Sequence, residues 1–386
     1  MIEFDFQPRT RIVFGPDRIE QLGELARELG AGRVLLVTDP GIVAAGHVEH
    51  GLRALHSAGL QVRVFDGVVE NPTTDNVELG LAVARDFRPD VLVGLGGGSS
   101  MDCCKAINFV YTNGGRMQDY WGVGKAHSPM LPMIAVPTTA GTGSETQSFA
   151  LISDAQTKVK MACGDKKASF RVAVLDPKLT VTMPPAVTAL TGIDAIAHAL
   201  ETYVTRRRNS VSLAFSREAW RLLEPNFARV LHDPQDLEAR GAMLLGACFA
   251  GLAIENSMLG AAHALANPLT QHFGIVHGQA VAVALPHVIR FNAAEVGGWY
   301  RELLLQPGSN GSPRARTPDL HSGDELARRI TRLAEMAGLK TQLRELGVPA
   351  PRLDELAAGA AQQWTGTFNP RTLEQDDFLQ LYQAAW

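Results

Sequence analysis

The 386-residue sequence predicts two units, an α/β half on a parallel sheet from residue 1 to about 185 and an all-α half from 186 to 386. Three observations predict this. The chain exceeds what one hydrophobic core usually organises. Short β-branched runs alternate with helical patterns through the first half. At Pro184-Pro185 the texture changes to long alanine- and leucine-rich stretches.

In the first half, residues 33–38, 61–65, 91–95 and 133–136 read as strands, and 19–29 and 76–87, with apolar residues at helical spacing, as helices. Together they form parallel βαβ units, and residues 149–152 and 173–175 continue the strand signal. In the second half, 187–205, 210–231 and 237–259 suit packed helices. A further helical group, 323–347 and 352–358, follows a loop at 306–322 rich in Gly, Ser and Pro.

Composition narrows the function classes. Apolar residues make up 46% and charged residues 20%, which excludes a disordered chain. A net charge of -4 with scattered Lys and Arg argues against nucleic acid as a partner. Residues 1–16 carry Glu3, Asp5, Arg9 and Arg11 and no continuous apolar stretch, unlike a secretory signal. No run reads as long and apolar enough to span a bilayer, so no membrane is expected. Cys103, Cys104, Cys163 and Cys248 make neither a disulfide framework nor a thiolate zinc spacing, which fits a reducing cytoplasm.

Two loops carry the first chemistry. The run Val91-Leu-Val-Gly-Leu-Gly-Gly-Gly-Ser-Ser100 leads from an apolar strand into a helix. Gly96, Gly97 and Gly98 lack Cβ atoms, so backbone N–H groups and a helix N-terminus can approach a pyrophosphate. Alone, such a run is as readily a tight turn. The second loop, Pro137-Thr-Thr-Ala-Gly-Thr-Gly-Ser-Glu145, also follows a strand and offers several hydroxyls. In a parallel sheet both loops emerge at the carboxyl edge, where dinucleotides bind. The spacing is not Gly-x-Gly-x-x-Gly, so the expectation is a Rossmann-like variant. Asp39, after the run 33–38, suits a ribose and disfavours a 2′-phosphate, pointing to NAD; it reads equally as a cap before Pro40.

The second chemistry lies in the helical half. In Thr191-Gly-Ile-Asp-Ala-Ile-Ala-His-Ala-Leu-Glu201, Asp194 and His198 share a helix face at i,i+4. His263 and His277 follow in a small-residue segment. One carboxylate with three imidazoles suits Fe(II) or Zn(II) better than Mg(II) or Ca(II). Any one of these histidines alone reads better as a hydrogen-bonded core residue.

With these motifs quoted, namely the glycine run continuing through Asp102 to Lys105, the loop 137–145, the Asp194 to Glu201 segment and the stretch 263–278, the chain resembles the iron-containing alcohol dehydrogenase family. The resemblance runs from Phe14-Gly-Pro16 to Phe368-Asn-Pro-Arg371 and is weakest after Gln306. It implies an N-terminal dinucleotide-binding domain and a C-terminal helical metal-binding domain. Asp194, His198, His263 and His277 become metal ligands. Asp39, Asn71, Gly96, Gly97, Gly98, Ser99, Asp102, Thr138, Thr139, Thr142, Lys160 and Leu179 become cofactor contacts, with Asn71 and Lys160 resting on the resemblance alone. Phe149, Ile254 and Asn267 become substrate-pocket residues.

Two departures from the family pattern stand out. Asn267 replaces a histidine proposed to move the alcohol proton, and an amide cannot titrate. His272 is the nearby substitute, although an exposed or capping histidine reads better there. Val276 replaces a proline just before His277. The resemblance further implies NAD with Fe(II), or Zn(II), a short or medium primary alcohol or its aldehyde, and a homodimer or higher homo-oligomer. Two alternatives remain open, a zinc polyol dehydrogenase of the glycerol type and a non-catalytic NAD-binding sensor.

Overall fold

The structure is a computed structural model and describes residues 3–305 and 316–386. The chain divides into two compact units, one of residues 7–183 and one of residues 184–386 joined by the N-terminal segment ending at Phe6. Phe6 belongs there because its ring packs on Phe215, 6.0 Å between centroids.

The first unit carries strands β1 (Arg11–Phe14), β2 (Arg33–Val37), β3 (Gln61–Phe65), β4 (Val91–Gly96), β5 (Gly122–Val123), β6 (Met133–Pro137), β7 (Phe149–Ser153), β8 (Lys160–Gly164) and β9 (Val172–Leu175). Its helices are α1 (Leu22–Glu28), α2 (Pro40–Ala44), α3 (His47–Ser57), α4 (Thr74–Phe87) and α5 (Gly98–Asn113). Six strands form a parallel sheet in the order β1-β9-β6-β4-β2-β3. Central β4 and β6 are buried along their whole length, as strands covered on both faces must be, whereas edge strand β3 alternates between exposed and half-buried. From β2 the chain steps outward to β3 and then returns to β4 on the opposite side of β2. That reversal makes the ends of β2 and β4 a topological switch point, the place in open α/β sheets where ligands bind.

One expectation is corrected here. The run at 149–152 does form a strand, but β7 is outside the parallel sheet and pairs antiparallel with β8, in a small sheet ordered β5-β8-β7. Only residues 154–159 join β7 to β8, too few for the crossover that parallel strands need. The turn is tied by Asp154, whose Oδ1 accepts hydrogen bonds from the backbone of Gln156 and Thr157. Strands β1, β5 and β8 were not expected; β5 has two residues and can show no periodicity.

The second unit consists of α6 (Pro185–Val204), α7 (Ser210–His232), α8 (Leu237–Glu255), α9 (Ala261–Phe273), α10 (His277–Leu304), α11 (Leu320–Met336), α12 (Leu353–Ala361) and α13 (Gln375–Ala385). Pro185 opens α6 at a first-turn position where its missing N–H costs nothing. Asn209, Asp236 and Asp319 cap α7, α8 and α11 through their side chains. From Gly192 to Val204 every residue of α6 is buried, so any polar side chain on that stretch needs a partner.

Three further expectations change. Helix α8 stops at Glu255 and not near 259. It is also long and apolar enough to cross a membrane, contrary to the reading that no such run exists, yet 67% of that stretch is buried and the helix packs on α6 and α7. Of the loop expected at 306–322, residues 306–315 lie outside the described residues, and Leu320, His321 and Ser322 already belong to α11.

Candidate metal centre and phosphate cradle

In the α/β unit the glycine run and the threonine loop meet. Strands β4 and β6 are parallel neighbours, so the turns after Gly96 and Pro137 leave the sheet at the same edge. Gly96 has φ +145°, open in practice only to glycine. A Cβ on Gly98 would stand 2.7 Å from Thr142 Cγ2, and one on Gly97 would stand 3.3 Å from Thr139 Cγ2. The two threonines therefore close over a surface of bare backbone. Gly97 precedes α5, and Gly98, Ser99 and Ser100 form the first turn, whose amides have no partner within the helix. Thr138 Oγ1 is buried and has no hydrogen-bond partner among the described residues. A phosphate would satisfy these donors.

Asp39 stands at the end of β2, beside that cradle. Its Oδ1 accepts from Ile42 N at 3.1 Å, capping α2, and its Oδ2 accepts from Ser100 Oγ at 3.0 Å. The carboxylate is thus a cap and a tie across the switch point together. Asn71 and Lys160 meet, with Lys160 Nζ 3.3 Å from Asn71 Oδ1; Asn71 has φ +52°, a left-handed conformation that asparagine tolerates.

Two residues expected at the cofactor, Asp102 and Leu179, make contacts within the protein. Asp102 is turned inward: it accepts from Ser144 Oγ at 2.5 Å, Lys105 Nζ at 3.4 Å and Leu151 N at 3.1 Å. It braces α5 against the second loop and β7. Leu179 sits in a 3-10 turn with its side chain in the sheet's apolar core. Phe149 lies over Gly164, its partner across the β7–β8 ladder, as a packing residue would.

The brace also contains a buried cation. Lys105 is fully buried, and its ammonium donates to Ser144 O, Ser144 Oγ and Phe149 O at 2.9, 2.7 and 2.7 Å. Its position three residues after Asp102, at a buried site of α5, is the signal that marks it. Nearby Glu145 is also buried, and burial pushes its carboxyl up to about 7 against its own backbone hydrogen bond and the Lys105 charge.

In the helical unit, Asp194 and His198 project from α6, His263 comes from α9, and His277 is the first residue of α10. Asp194 Oδ1 lies 3.5 Å from His198 Nε2, 3.4 Å from His263 Nε2 and 3.7 Å from His277 Nε2. Donor atoms of Asp194, His263 and His277 all lie within 4.8 Å of one another. Donors set tetrahedrally at about 2.1 Å from one cation would be separated by about 3.4 Å, so the three distances to Asp194 Oδ1 are ones that an ion would allow. Asp194 Oδ1 and His263 Nε2 are buried and have no hydrogen-bond partner among the described residues. Unsatisfied atoms of this kind in an apolar interior are what a metal would complete.

Electrostatics agree. Burial alone would raise the Asp194 carboxyl, but the imidazoles of His198, His263 and His277 outweigh it and hold it well below the usual range. Burial alone would lower His263, but Glu201 and Asp194 outweigh it and push the imidazole up to about 10. The pocket calls for positive charge. His277, 31% exposed, is the open side of a set whose other members are at most 9% exposed.

Glu201 is the residue whose role the sequence did not reveal. It lies on α6 at i+7 from Asp194, on the same face, and its Oε2 is 2.6 Å from His263 Nδ1. Three polar residues at i, i+4 and i+7 on an apolar helix are the signal that could have found it. Asn267 donates from Nδ2 to Gln363 Oε1 at 2.9 Å, and Ile254 is buried on α8. His272 lies nine residues after His263, which at about 100° per residue puts it on the opposite face of α9. There its Nδ1 is 3.7 Å from Glu355 Oε1, so it does not stand in for the missing histidine at 267.

Residues 8–177 match the family profile described as iron-containing alcohol dehydrogenase, and residues 188–386 match the one described as Fe-containing alcohol dehydrogenase family, C-terminal. The chain is 34% identical over 385 residues to a 1,3-propanediol dehydrogenase of Klebsiella pneumoniae, covering 99% of each chain. It is 33% identical to an NAD-dependent methanol dehydrogenase of Bacillus methanolicus, covering 100% of each. A solved structure of a 1,3-propanediol oxidoreductase superposes with a TM-score of 0.92 at 34% identity, with 100% of each chain covered. On its sequence, its fold and its cluster of one carboxylate and three imidazoles, this chain belongs to the iron-containing alcohol dehydrogenase family.

Proposed function

We propose that this chain is an NAD-linked, iron-dependent dehydrogenase of short or medium primary alcohols, and that it reduces the matching aldehydes in reverse. The observation that carries the reading is the convergence of three imidazole Nε2 atoms on Asp194 Oδ1, with His263 Nε2 and that oxygen left without hydrogen-bond partners among the described residues. Asp194, His198, His263 and His277 would hold the ion. When bound, Fe(II) supplies Lewis acidity toward the alcohol oxygen, as a catalytic zinc lowers the pKa of water from about 15.7 to about 7.

The chain's own residues do the rest. The bare backbone of Gly97 and Gly98, the first turn of α5 and the hydroxyls of Thr138, Thr139 and Thr142 bind and orient the pyrophosphate of NAD. Asp39 receives the adenosine ribose while it holds α2 and Ser100. Phe149, Ile254 and Asn267 contribute to the substrate pocket, and the Asn267 amide, held by Gln363, passes no proton. Substrates named for the relatives, methanol and 1,3-propanediol, are primary alcohols, which supports the same class here. We also place the protein in the cytoplasm as a homodimer or higher homo-oligomer; its four cysteines are free and buried, in keeping with a reducing compartment.

Elemental analysis of purified protein, with an NAD-reduction screen over methanol, 1-propanol, 1,3-propanediol and glycerol, tests the reading. One equivalent of iron with turnover of the simple primary alcohols is expected. Zinc with a preference for glycerol would replace it by a polyol dehydrogenase, and NAD binding without any reduction by a sensor.

A further inference from the structure

Helix α9 begins without a cap of its own, because Gly260 has no side chain to offer. Its first amides are received by other elements. Gly260 N donates to Glu201 Oε2 at 3.0 Å and Ala262 N to Glu201 Oε1 at 2.7 Å, both from α6. Ala261 N lies 3.4 Å from Asn369 Oδ1. The same Glu201 Oε2 is 2.6 Å from His263 Nδ1, and Glu201 is 4% exposed. Gly260 makes room for this: a Cβ there would stand 3.1 Å from Glu201 Oε1.

An ionised carboxylate only accepts hydrogen bonds, so every group around Glu201 must donate, His263 Nδ1 included. With an ion on Nε2 the imidazole would be neutral and keep its one hydrogen on Nδ1, and His263 Nε2 is the buried atom, without a hydrogen-bond partner among the described residues, 3.4 Å from Asp194 Oδ1. We propose that Glu201 is a positioning residue of the metal centre: it fixes the tautomer and ring orientation of His263 and ties the start of α9 to α6, so that ligands from the two helices keep one spacing. This rests on the metal reading given above. Outer-shell carboxylates that hold a ligating histidine act in this way, and their loss weakens metal binding by about 10–100-fold.

Glu201→Gln is the informative change because it keeps the shape and removes one acceptor. The new amide NH2 must face either the Ala262 N–H or both the Gly260 N–H and His263 Nδ1. The second arrangement drives the hydrogen onto Nε2, the atom the metal needs. Co(II) affinity is measured by chelator competition for the wild type, Glu201→Gln, His263→Ala and the double variant, with NAD affinity measured alongside.

The expected result is about 10–100-fold weaker Co(II) binding for Glu201→Gln, NAD affinity within about twofold of wild type, and no further loss when the change is added to His263→Ala. Wild-type Co(II) affinity in Glu201→Gln overturns the proposal, and so does a loss that adds in full to that of His263→Ala, since a bare helix cap would act without the histidine. Wild type that takes up no Co(II) overturns the metal centre itself and this inference with it. Should Glu201→Gln fail to fold, ¹⁵N NMR of the histidine rings in the Zn(II)-loaded wild type decides: hydrogen on His263 Nδ1 supports the proposal, and hydrogen on Nε2 overturns it.

Discussion

The α/β unit and the helical unit prepare their sites by opposite means. At the end of β4 the chain removes side chains: Gly96, Gly97 and Gly98 leave bare amides, and Thr139 and Thr142 sit where a Cβ would otherwise intrude. Inside the helical unit the chain adds them, placing Asp194, His198 and Glu201 on the most buried stretch of α6 and drawing His263 and His277 from two other helices. Backbone amides at a strand end suit a diffuse anion such as pyrophosphate, whereas a compact cation needs lone pairs at fixed spacing, which only side chains provide. The two proposed binding functions would then rest on separate residues and be separable by mutation.

The sharpest test of that separation is His263→Ala. Alcohol oxidation should fall at least about a thousandfold, because Lewis-acid stabilisation supplies several kcal/mol and each 1.36 kcal/mol or so is a factor of ten. NAD affinity, read by quenching of intrinsic fluorescence, should stay within about twofold of wild type; a parallel loss of both would break the division. Gly98→Ala is the converse experiment. Its Cβ would meet Thr142 at 2.7 Å. NAD affinity should drop about 5–150-fold, from an overpacking cost of about 1–3 kcal/mol, with Co(II) affinity unchanged.

A third prediction sharpens the comparison through pH. Glu145 beside the threonine loop has its carboxyl raised by burial from an ordinary 4.5 to about 7. The folded state therefore keeps this proton over a window in which the unfolded chain has lost it. Its contribution to stability is complete below pH 4.5 and declines as pH rises to about 7, by about 3 kcal/mol at most. In urea titrations at pH 5 and pH 8, Glu145→Gln should be relatively more stable at the higher pH; an unchanged pH dependence would show that the carboxyl ionises freely. The smallest effect is expected from His272→Ala. The pair with Glu355 is partly exposed, so stability should change by less than about 1 kcal/mol. Alcohol turnover should be unaffected as well, and a collapse in turnover would put His272 back among the proton carriers.

Legibility followed the same divide. The glycine run and the threonine loop are each contiguous and follow an apolar strand, so their place at one sheet edge could be read without any knowledge of what lies beside them. Asp194 and His198 were legible for a related reason, since helical periodicity alone puts i and i+4 on one face. For Asp102 and Leu179 position along a motif said nothing of direction: Asp102 points to Ser144, Lys105 and Leu151 N, and Leu179 into the core. β7 was read as one more parallel strand, although the six residues before β8 already forbid it.

From the sequence alone came the two units, the run of parallel strands, both loops proposed to hold a phosphate, the apolar identity of α6 and the four residues proposed to hold a metal. These depend on local pattern, meaning periods of two and 3.6 residues, glycines after strands, and prolines that begin helices. Tertiary structure decided that three Nε2 atoms from three helices approach one oxygen of Asp194. It also decided that Glu201 holds the far side of His263, and that His272 turns away to Glu355. Convergence of this kind is set by how helices pack, through contacts between residues tens of positions apart, and no local pattern encodes the distance between them.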